Sequence, residues 1–287
     1  MTIDLSVIIL SKTNSNTIFE TTMNCINSLV ASEESIKGIE IILVESNKNY
    51  AKTYAYPDFV KVIIPEEQFG FHKFLNIGIK ASSGKFIALC NNDLIFEKNW
   101  YSEILKVANT HKEIDSFSPI DPREELNKYK GTYEIGYKIR SQIKGWCIVC
   151  KRKMLHKINL LDEKFVFYYS DNDYSLTLLY YNIKHAVVSK SHVKHLHKVS
   201  TKEAIKNKDL FFNENVTNKK LPKHLKLPAY KEILTSNRGL KDHLIYYEKW
   251  GNPDSVYRIA RYAKKLNSLH LNIITKLLFL TKRVFKI

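Results

Sequence analysis

The chain has 287 residues, of which 44% are hydrophobic and 26% are charged, a composition typical of a globular protein. Its four cysteines are too few and too scattered for a disulfide framework. Cys147 and Cys150 form a CxxC pair, but no second pair or nearby histidine completes a zinc site. We therefore expect buried free thiols, which suit a cytoplasmic location.

The net charge of +16 is unevenly distributed along the chain. Residues 201–287 contain 19 Lys and Arg against 7 Asp and Glu, so this last part alone carries +12. The N-terminus lacks the basic region of a signal peptide, and no run of about 18 apolar residues predicts a membrane span. We expect a domain over residues 1–205 followed by a basic, mainly helical extension over residues 206–287.

The first domain begins with alternating strand and helix patterns. Apolar runs at residues 5–10, 39–46, 60–65 and 86–90 predict buried strands, and apolar residues at helical spacing predict helices near 18–31 and 71–81. This alternation predicts an α/β fold with a mainly parallel sheet flanked by helices. Polar residues follow three of the strands, so they are expected to meet in the crevice at the carboxyl ends of the sheet.

The pattern is more mixed after residue 145. Residues 145–152 predict a strand, and a short helix is expected near 153–158. Another helix is expected from Asp171, with Ser170 as its N-cap. Residues 184–200 predict one or two strands that lead into a histidine-rich segment.

The first candidate site is the tripeptide that follows the strand at residues 86–90. Asn91, Asn92 and Asp93 are suited to holding a divalent cation against substrate phosphates, since Mg²⁺ and Mn²⁺ favour oxygen ligands. The alternative is a turn that Asn and Asp side chains close by bonding to their own backbone.

Two further clusters carry candidate chemistry. Asp171 and Asp173 follow an aromatic run at residues 165–169, where one carboxylate can act as a general base, although acids in a first helical turn are also favoured by the helix dipole. His192, His195 and His197 lie within six residues, either as metal ligands or as ordinary hydrogen-bonding side chains.

Taken in order, the motifs between residues 5 and 200 resemble family 2 of the inverting glycosyltransferases, which have the GT-A fold. The most specific segment is FGFHKFLNIGIKASSGKFIALCNND, which is similar to the donor-side block of the O-antigen and rhamnosyltransferase branch. KGWCIVCKRKMLHKINLLDEKFVFYYSDNDYSL resembles the acceptor-side block, and SHVKHLHKVS resembles the closing histidine segment.

The resemblance implies a role for each matching residue. It implies that Asp171 is the catalytic base and that Asp93 and His195 bind Mn²⁺ or Mg²⁺, with His197 as the alternative second ligand. It also implies acceptor contacts for Asp173 and Trp146. The residues implied to contact the nucleotide-sugar are Ser11, Thr13, Glu45, Asn76, Asn91 and Asn92.

The implied activity is an inverting, metal-dependent transfer from a UDP-, dTDP- or GDP-sugar to a saccharide or lipid-linked acceptor in surface polysaccharide or glycolipid synthesis. One alternative is a sugar nucleotidyltransferase-like enzyme, although the loop SKTNSNT after the first strand lacks the glycines expected of that class. The other is a non-catalytic adaptor that binds a polyanion or a membrane.

The basic extension ends in a helical pattern over residues 255–287. Apolar residues cluster around Ile273 and Leu277, and basic residues gather near the end at Lys276, Lys282 and Arg283. One interpretation is a helix packed on the first domain. The other is an interfacial helix that binds the anionic inner face of the cell membrane. Nucleic acid is not expected, because no nucleic-acid-binding motif accompanies the charge.

Overall fold

A computed structural model of the chain describes residues 3–34, 38–196, 225 and 237–285. The strands are β1 (Leu5–Ser11), β2 (Ile39–Glu45), β3 (Val60–Ile63), β4 (Phe86–Asn91), β5 (Leu94–Phe96), β6 (Ile114–Ile120), β7 (Tyr133–Ile135), β8 (Cys147–Lys151) and β9 (Lys184–His195). The helices are α1 (Asn16–Ser32), α2 (Phe71–Lys80), α3 (Trp100–Thr110), α4 (Pro122–Glu125), α5 (Arg152–Lys157), α6 (Ser170–Tyr180), α7 (Asn237–Trp250), α8 (Pro253–Ser268) and α9 (Asn272–Phe285).

The predicted α/β fold with a mostly parallel sheet flanked by helices is confirmed. The strand order is β3-β2-β1-β4-β8-β6-β9-β5, and β7 pairs with β9. Strands β1, β2, β3, β4, β6 and β9 run in one direction, and β8 runs antiparallel between β4 and β6. The short strands β5 and β7 also run antiparallel to β9.

The central strands are buried on both faces, which explains their continuous apolar sequence. In β1, Val7 and Ile9 pack into one core cluster with residues of α1 and α3. Ile8 and Leu10 point to the opposite face and pack with residues of α2, α5 and α6. All four cysteines are buried free thiols, as predicted.

The start of α6 differs from the prediction in its cap. Ser170 is the first helical residue, and Tyr169, with φ of 62°, is the N-cap. The Ser170 hydroxyl donates backwards to the Phe167 carbonyl oxygen at 3.0 Å, so it does not cap the helix. The chain therefore turns sharply just before Asp171.

Helices α7, α8 and α9 pack against α6 through a shared apolar cluster. From the first part of the chain this cluster contains Phe165, Leu176 and Leu179. From the C-terminal helices it contains Tyr246, Trp250, Val256, Ile259, Ala263 and Phe279. The predicted boundary between residues 205 and 206 lies outside the described residues, and within the described part no helix is long and apolar enough to cross a membrane.

Candidate active site

The parallel register brings the polar ends of three strands side by side. Ser11 at the end of β1 is paired with Glu45 at the end of β2, and Leu10 is paired with Asn91 at the end of β4. Because parallel strands share one carboxyl edge, these residues gather where ligands bind in open α/β sheets.

Glu45 is fully buried and braces the loop that follows β1. Its Oε1 accepts the Thr13 backbone N–H at 2.9 Å and the Asn47 N–H at 2.7 Å, and its Oε2 accepts the Thr13 hydroxyl at 2.6 Å. The Ser11 hydroxyl lies 3.1 Å from that of Thr13. The buried Glu45 carboxylate thus fixes the conformation of the loop that follows β1. The nucleotide contacts expected of Glu45, Ser11 and Thr13 stay predictions.

The two asparagines after β4 face different surroundings. The Asn92 side chain is buried and donates to the Thr22 hydroxyl at 2.9 Å, which ties the strand end to α1. Asn91 is only partly buried and lines a cleft, while its backbone N–H donates to the Trp146 carbonyl oxygen at 3.0 Å. Asn91 is therefore placed to meet a ligand, and Asn92 is placed to fix the strand end.

Asp93 and His195 meet at the pairing of β5 with β9. His195 Nε2 lies 3.3 Å from Asp93 Oδ1, and the Leu196 N–H donates to the Asp93 carbonyl oxygen at 2.8 Å. The Trp146 ring stacks on the His195 ring, with centroids 5.4 Å apart and an interplanar angle of 18°. His197, the alternative ligand, lies outside the described residues.

An ion pair that the sequence analysis missed holds the backbone of His195. Asp121 Oδ2 accepts the His195 backbone N–H at 3.0 Å, and Arg123 Nη2 donates to the His195 carbonyl oxygen at 2.8 Å. Arg123 also binds Asp121 through two nitrogens at 3.0 and 2.6 Å. Burial alone would raise the pKa of Asp121, but hydrogen bonds from Arg123 and from the His195 N–H outweigh burial and lower it to about 2.

Asp171 lies in the first turn of α6, directly against Gly145. A Cβ atom added to Gly145 would lie 2.6 Å from Asp171 Oδ2, so the carboxylate occupies space that only glycine leaves open. Burial raises the pKa of Asp171, and the helix backbone, His72 and Arg140 oppose that rise. A raised pKa makes this carboxylate a stronger base than an ordinary aspartate.

Asp171 and His195 line one cleft of about 960 Å³. Asn91 and Trp146 also line it, so four of the residues singled out from the sequence share this space. Phe167, Tyr168 and Asn172, from the segment around Asp171, also line it. The lining further includes Asp121, Arg140 and Lys144, which the sequence did not indicate. Lys144 is buried and ion-paired to Glu125 at 2.5 Å, whereas Arg140 is exposed.

Asn76 and Asp173 lie in a different place, on a second cavity of about 730 Å³. The Asn76 amide donates to the Leu161 carbonyl oxygen at 2.9 Å and accepts the Leu161 N–H at 3.1 Å. Asp173 Oδ1 binds Lys249 Nζ and Trp250 Nε1, each at 2.7 Å. Both side chains thus hold other segments in position, and their predicted contacts with donor and acceptor stay predictions.

Helix α7 fixes the aromatic segment that precedes Asp171. Asp242 is fully buried and accepts the backbone N–H groups of Val166, Phe167 and Tyr168 at 3.1, 2.9 and 2.7 Å. Phe167 and Tyr168 in turn line the cleft. No local sequence signal identifies this contact, because its partners are separated by more than 70 residues.

The donor set at Asp93 and His195 fits a cation that takes only a few protein ligands. Within the described residues no group of three or more His, Cys, Asp or Glu side chains is arranged to hold a metal. One carboxylate and one imidazole suit Mn²⁺, and the carboxylate suits Mg²⁺, with phosphate oxygens and water completing the shell. Ligands about 2.1 Å from an octahedral ion are roughly 3 Å apart, close to the observed separation of these two side chains.

The model of Glycosyl transferase family 2 matches residues 6–171, which is more than half of the chain. The chain belongs to glycosyl transferase family 2. The matched region runs from β1 to the first turn of α6, so this family 2 domain includes both Asp93 and Asp171.

Solved structures of low sequence identity share the fold. A crystal structure of GalNAc-T7 with UDP, GalNAc and Mn²⁺ is 17% identical with a TM-score of 0.54, covering 68% of this chain and 43% of that one. A crystal structure of S. aureus TarS, residues 1–349, is 14% identical with a TM-score of 0.51, covering 96% and 90%. This family 2 chain thus spans less than half of the GalNAc-T7 chain, and no curated protein matches it at a significant level.

Proposed function

We propose that this family 2 glycosyltransferase moves a sugar from a nucleotide-diphosphate sugar to an acceptor hydroxyl, with inversion at the anomeric carbon. The observation that supports this best is the shared cleft of Asp171 and His195, with Asp93 3.3 Å from His195. Gly145 lies against the Asp171 carboxylate, and the ring of the next residue, Trp146, stacks on the His195 ring. The consecutive residues Gly145 and Trp146 therefore contact the proposed base, Asp171, and the proposed metal ligand, His195.

Asp171 acts on the acceptor in this mechanism. Its carboxylate takes the proton of the acceptor hydroxyl, and the oxygen attacks the anomeric carbon of the donor from the side opposite the diphosphate. The bond from the anomeric carbon to the diphosphate oxygen breaks, and that oxygen leaves with the electron pair. The aromatic side chains of Phe167 and Tyr168 form a wall on which the acceptor sugar can pack.

The chain's donor-side residues neutralise and orient the diphosphate. Asp93 and His195 would hold Mn²⁺ or Mg²⁺, which would supply Lewis-acid stabilisation of the leaving diphosphate. Arg140 lines the same cleft with an exposed guanidinium group and has a left-handed backbone, with φ of 62°. Such strained positions cluster at functional sites, and a guanidinium group matches phosphate geometry, so we assign Arg140 to the diphosphate.

The substrate classes rest on the resemblance and on what solved neighbours contain. The GalNAc-T7 structure holds UDP and Mn²⁺, which makes UDP-sugars the first donors to test. The resemblance leaves dTDP- and GDP-sugars open as donors, with a saccharide or lipid-linked molecule as the proposed acceptor. Ser11, Thr13, Glu45, Asn76 and Asn92 are proposed to shape the nucleotide pocket, directly or through the loops that they hold.

The test uses donor turnover, because water can replace an unknown acceptor. The protein is incubated with UDP-, dTDP- and GDP-sugars, and nucleoside diphosphate release is measured with Mn²⁺, with Mg²⁺ and with EDTA. We expect release from one nucleotide class, loss of release with EDTA, and recovery when Mn²⁺ is added. The anomeric configuration of the first product then reports inversion or retention.

Asp171→Asn tests the base. We expect its turnover to fall on the order of 10²–10⁴-fold, the usual contribution of a positioned acid–base group. Asp58→Asn makes the same chemical change at an exposed site away from the cleft and is expected to keep full turnover. Near-normal turnover by Asp171→Asn would show that another group is the base.

Neither alternative releases nucleoside diphosphate from a nucleotide-sugar, and a second assay with a nucleoside triphosphate and a sugar phosphate distinguishes the two. A sugar nucleotidyltransferase would release pyrophosphate from a nucleoside triphosphate and a sugar phosphate, and it would leave nucleotide-sugars intact. A non-catalytic adaptor would turn over no nucleotide. Family membership favours transfer over both.

A further inference from the structure

Helix α9 is apolar on two sides, and only one of them is packed. On the inner side, Thr275 and Phe279 are buried, and the Phe279 ring lies 5.3 Å from that of Trp250. On the outer side lie four exposed apolar side chains: Ile273 (75% exposed), Leu277 (53%), Leu280 (43%) and Val284 (69%). Their spacing of four, three and four residues places them in one stripe along the helix.

This outer stripe is unusual for a surface helix. Single exposed apolar side chains are ordinary, but contiguous apolar surfaces mark sites of interaction. Ile274 and Phe285 are also exposed and lie on the same side of the helical wheel, so they widen the stripe. We call these six residues the outer stripe.

The charge around the outer stripe indicates what it binds. Between Ser255 and Phe285 the sequence has seven Lys and Arg and no Asp or Glu. Lys276 and Arg283 are exposed and adjoin the stripe on α9, and α8 exposes Arg258, Arg261 and Lys265 opposite its packed face. An acidic or uncharged protein surface would match only part of this arrangement, whereas an anionic lipid surface matches apolar and basic residues together.

The length of α9 decides how it would meet a bilayer. Fourteen residues rise about 21 Å, which is shorter than the roughly 30 Å hydrocarbon core. The helix therefore cannot span the membrane and would lie in its surface plane, with the apolar side down and the basic groups at the phosphates.

We propose that the outer stripe of α9 docks this protein on an anionic lipid bilayer. The proposal goes beyond the proposed function, because it concerns where the enzyme sits and not what it transfers. Docking would hold the cleft close to the membrane surface. Helix α9 is connected to the cleft because it shares an apolar cluster with α6, whose first turn carries Asp171.

The full chain is tested by sedimentation with vesicles, in the absence of any sugar substrate. One set contains phosphatidylcholine alone, and the other contains phosphatidylcholine with phosphatidylglycerol. We expect binding to the anionic vesicles, weaker binding at high salt, and little binding to the neutral ones. Because no turnover is measured, failure of this test leaves the proposed function untouched, and failure of the donor assay leaves docking untouched.

Matched variants distinguish binding through the outer stripe from nonspecific binding through any exposed apolar side chain. Ile273→Gln with Leu277→Gln is expected to lower the vesicle partition coefficient about tenfold or more, since two buried apolar contacts are lost. Phe59→Gln with Leu126→Gln removes two equally exposed apolar side chains elsewhere and should bind as the unaltered chain does. Thermal unfolding of each variant verifies that α9 still packs.

A second pair of variants distinguishes the effect of the basic residues beside the outer stripe from the effect of the net charge of the chain. Lys276→Gln with Arg283→Gln should weaken binding to anionic vesicles more than Lys98→Gln with Lys130→Gln, which removes the same charge from exposed sites elsewhere. Absence of binding to anionic vesicles, or unchanged binding by the Ile273 and Leu277 variant, would overturn the proposal. So would self-association that depends on Leu277 together with no vesicle binding, because the stripe would then be an interface between copies of the chain.

Discussion

Gly145 sets the position of Asp171, and this dependence can be tested with one methyl group. In Gly145→Ala the new Cβ would lie 2.6 Å from Asp171 Oδ2 and 2.7 Å from its Cγ, so the carboxylate must move. A misplacement of about 1 Å can cost 10²-fold in rate, and we expect turnover to fall by about that factor. The donor KM should change little, because Gly145 contacts Asp171, the proposed base, and not the pair formed by Asp93 and His195.

Gly131→Ala is the matched control for this substitution. Its nearest atom would be the Tyr133 carbonyl oxygen at 3.6 Å, an ordinary contact, so turnover and thermal stability should both be unchanged. If Gly145→Ala turned over donor at the normal rate, Asp171 would not depend on this contact for its catalytic position.

At the residue scale, the sequence placed side chains at the ends of strands but could not orient them. The polar residues after β4 followed from the end of an apolar run, and Asn91 and Asp93 do lie at the cleft and beside His195. Glu45 follows a strand in the same way, yet its carboxylate turns inward to Thr13. Inward and outward orientations produce the same sequence pattern, so only the tertiary contacts distinguish them.

The ion pair of Asp121 and Arg123 illustrates a second limit. Asp121 caps α4 and Pro122 is its first residue, a local pattern that is typical of a helix start but was not used in the prediction. Nothing local indicates that this pair also clamps the backbone of His195, more than 70 residues away. The contact with His195 exists because β6 pairs with β9, so it cannot be predicted from the residues that neighbour Asp121 and Arg123 in the sequence.

At the scale of elements, α7 is the helix that holds the aromatic segment lining the cleft. Asp242→Ala would leave three consecutive backbone N–H groups without their acceptor. Unsatisfied buried donors cost roughly 1–3 kcal/mol each, and partial access of water reduces the sum, so we expect a loss of about 3 kcal/mol in the free energy of unfolding. Since Phe167 and Tyr168 line the cleft, turnover should fall as well.

Two variants control for this effect. Asp242→Asn keeps one acceptor oxygen and should lose less stability than Asp242→Ala. Asp58→Ala removes an exposed carboxylate elsewhere on the chain and should change stability by less than about 0.5 kcal/mol. Thermal and denaturant unfolding rank the stability of the three variants. Equal stability of all three would mean that the Asp242 contact contributes nothing to stability.

Element prediction succeeded for four of the parallel strands and failed over the segment between residues 94 and 144. β1, β2, β3 and β4 each begin at the predicted residue, although β3 is only partly buried. The segment without predicted elements contains α3, α4 and the largely buried strand β6, whose apolar pattern is interrupted by Asp115, Ser116 and Ser118. It also contains β5 and β7, which have only three residues each and pair with β9. Short edge strands carry too little periodicity to be read without their partner.

At the scale of the whole molecule, charge separated the C-terminal part but did not indicate which residues it packs against. The excess of Lys and Arg predicted a distinct extension, and α8 does expose a basic face. The same helices supply the apolar residues that cover α6, and Lys249 and Trp250 bind Asp173. Apolar side chains spaced along amphipathic helices show that a face is buried, but not which partner buries it.

This packing predicts that a chain ending at residue 205 will not fold stably. Such a chain would expose Phe165, Leu176 and Leu179, and full burial of each large apolar side chain is worth roughly 1.5–3 kcal/mol. The sum approaches the roughly 5–15 kcal/mol that stabilises a whole domain, and Asp173 would also lose Lys249. Size-exclusion chromatography and thermal unfolding should show aggregation or no cooperative transition, whereas a chain ending at residue 285 should behave as the full chain does. A cooperative, monomeric 1–205 chain that melts within a few degrees of the full chain would establish the predicted boundary and would make α7, α8 and α9 dispensable for the fold that holds Asp171.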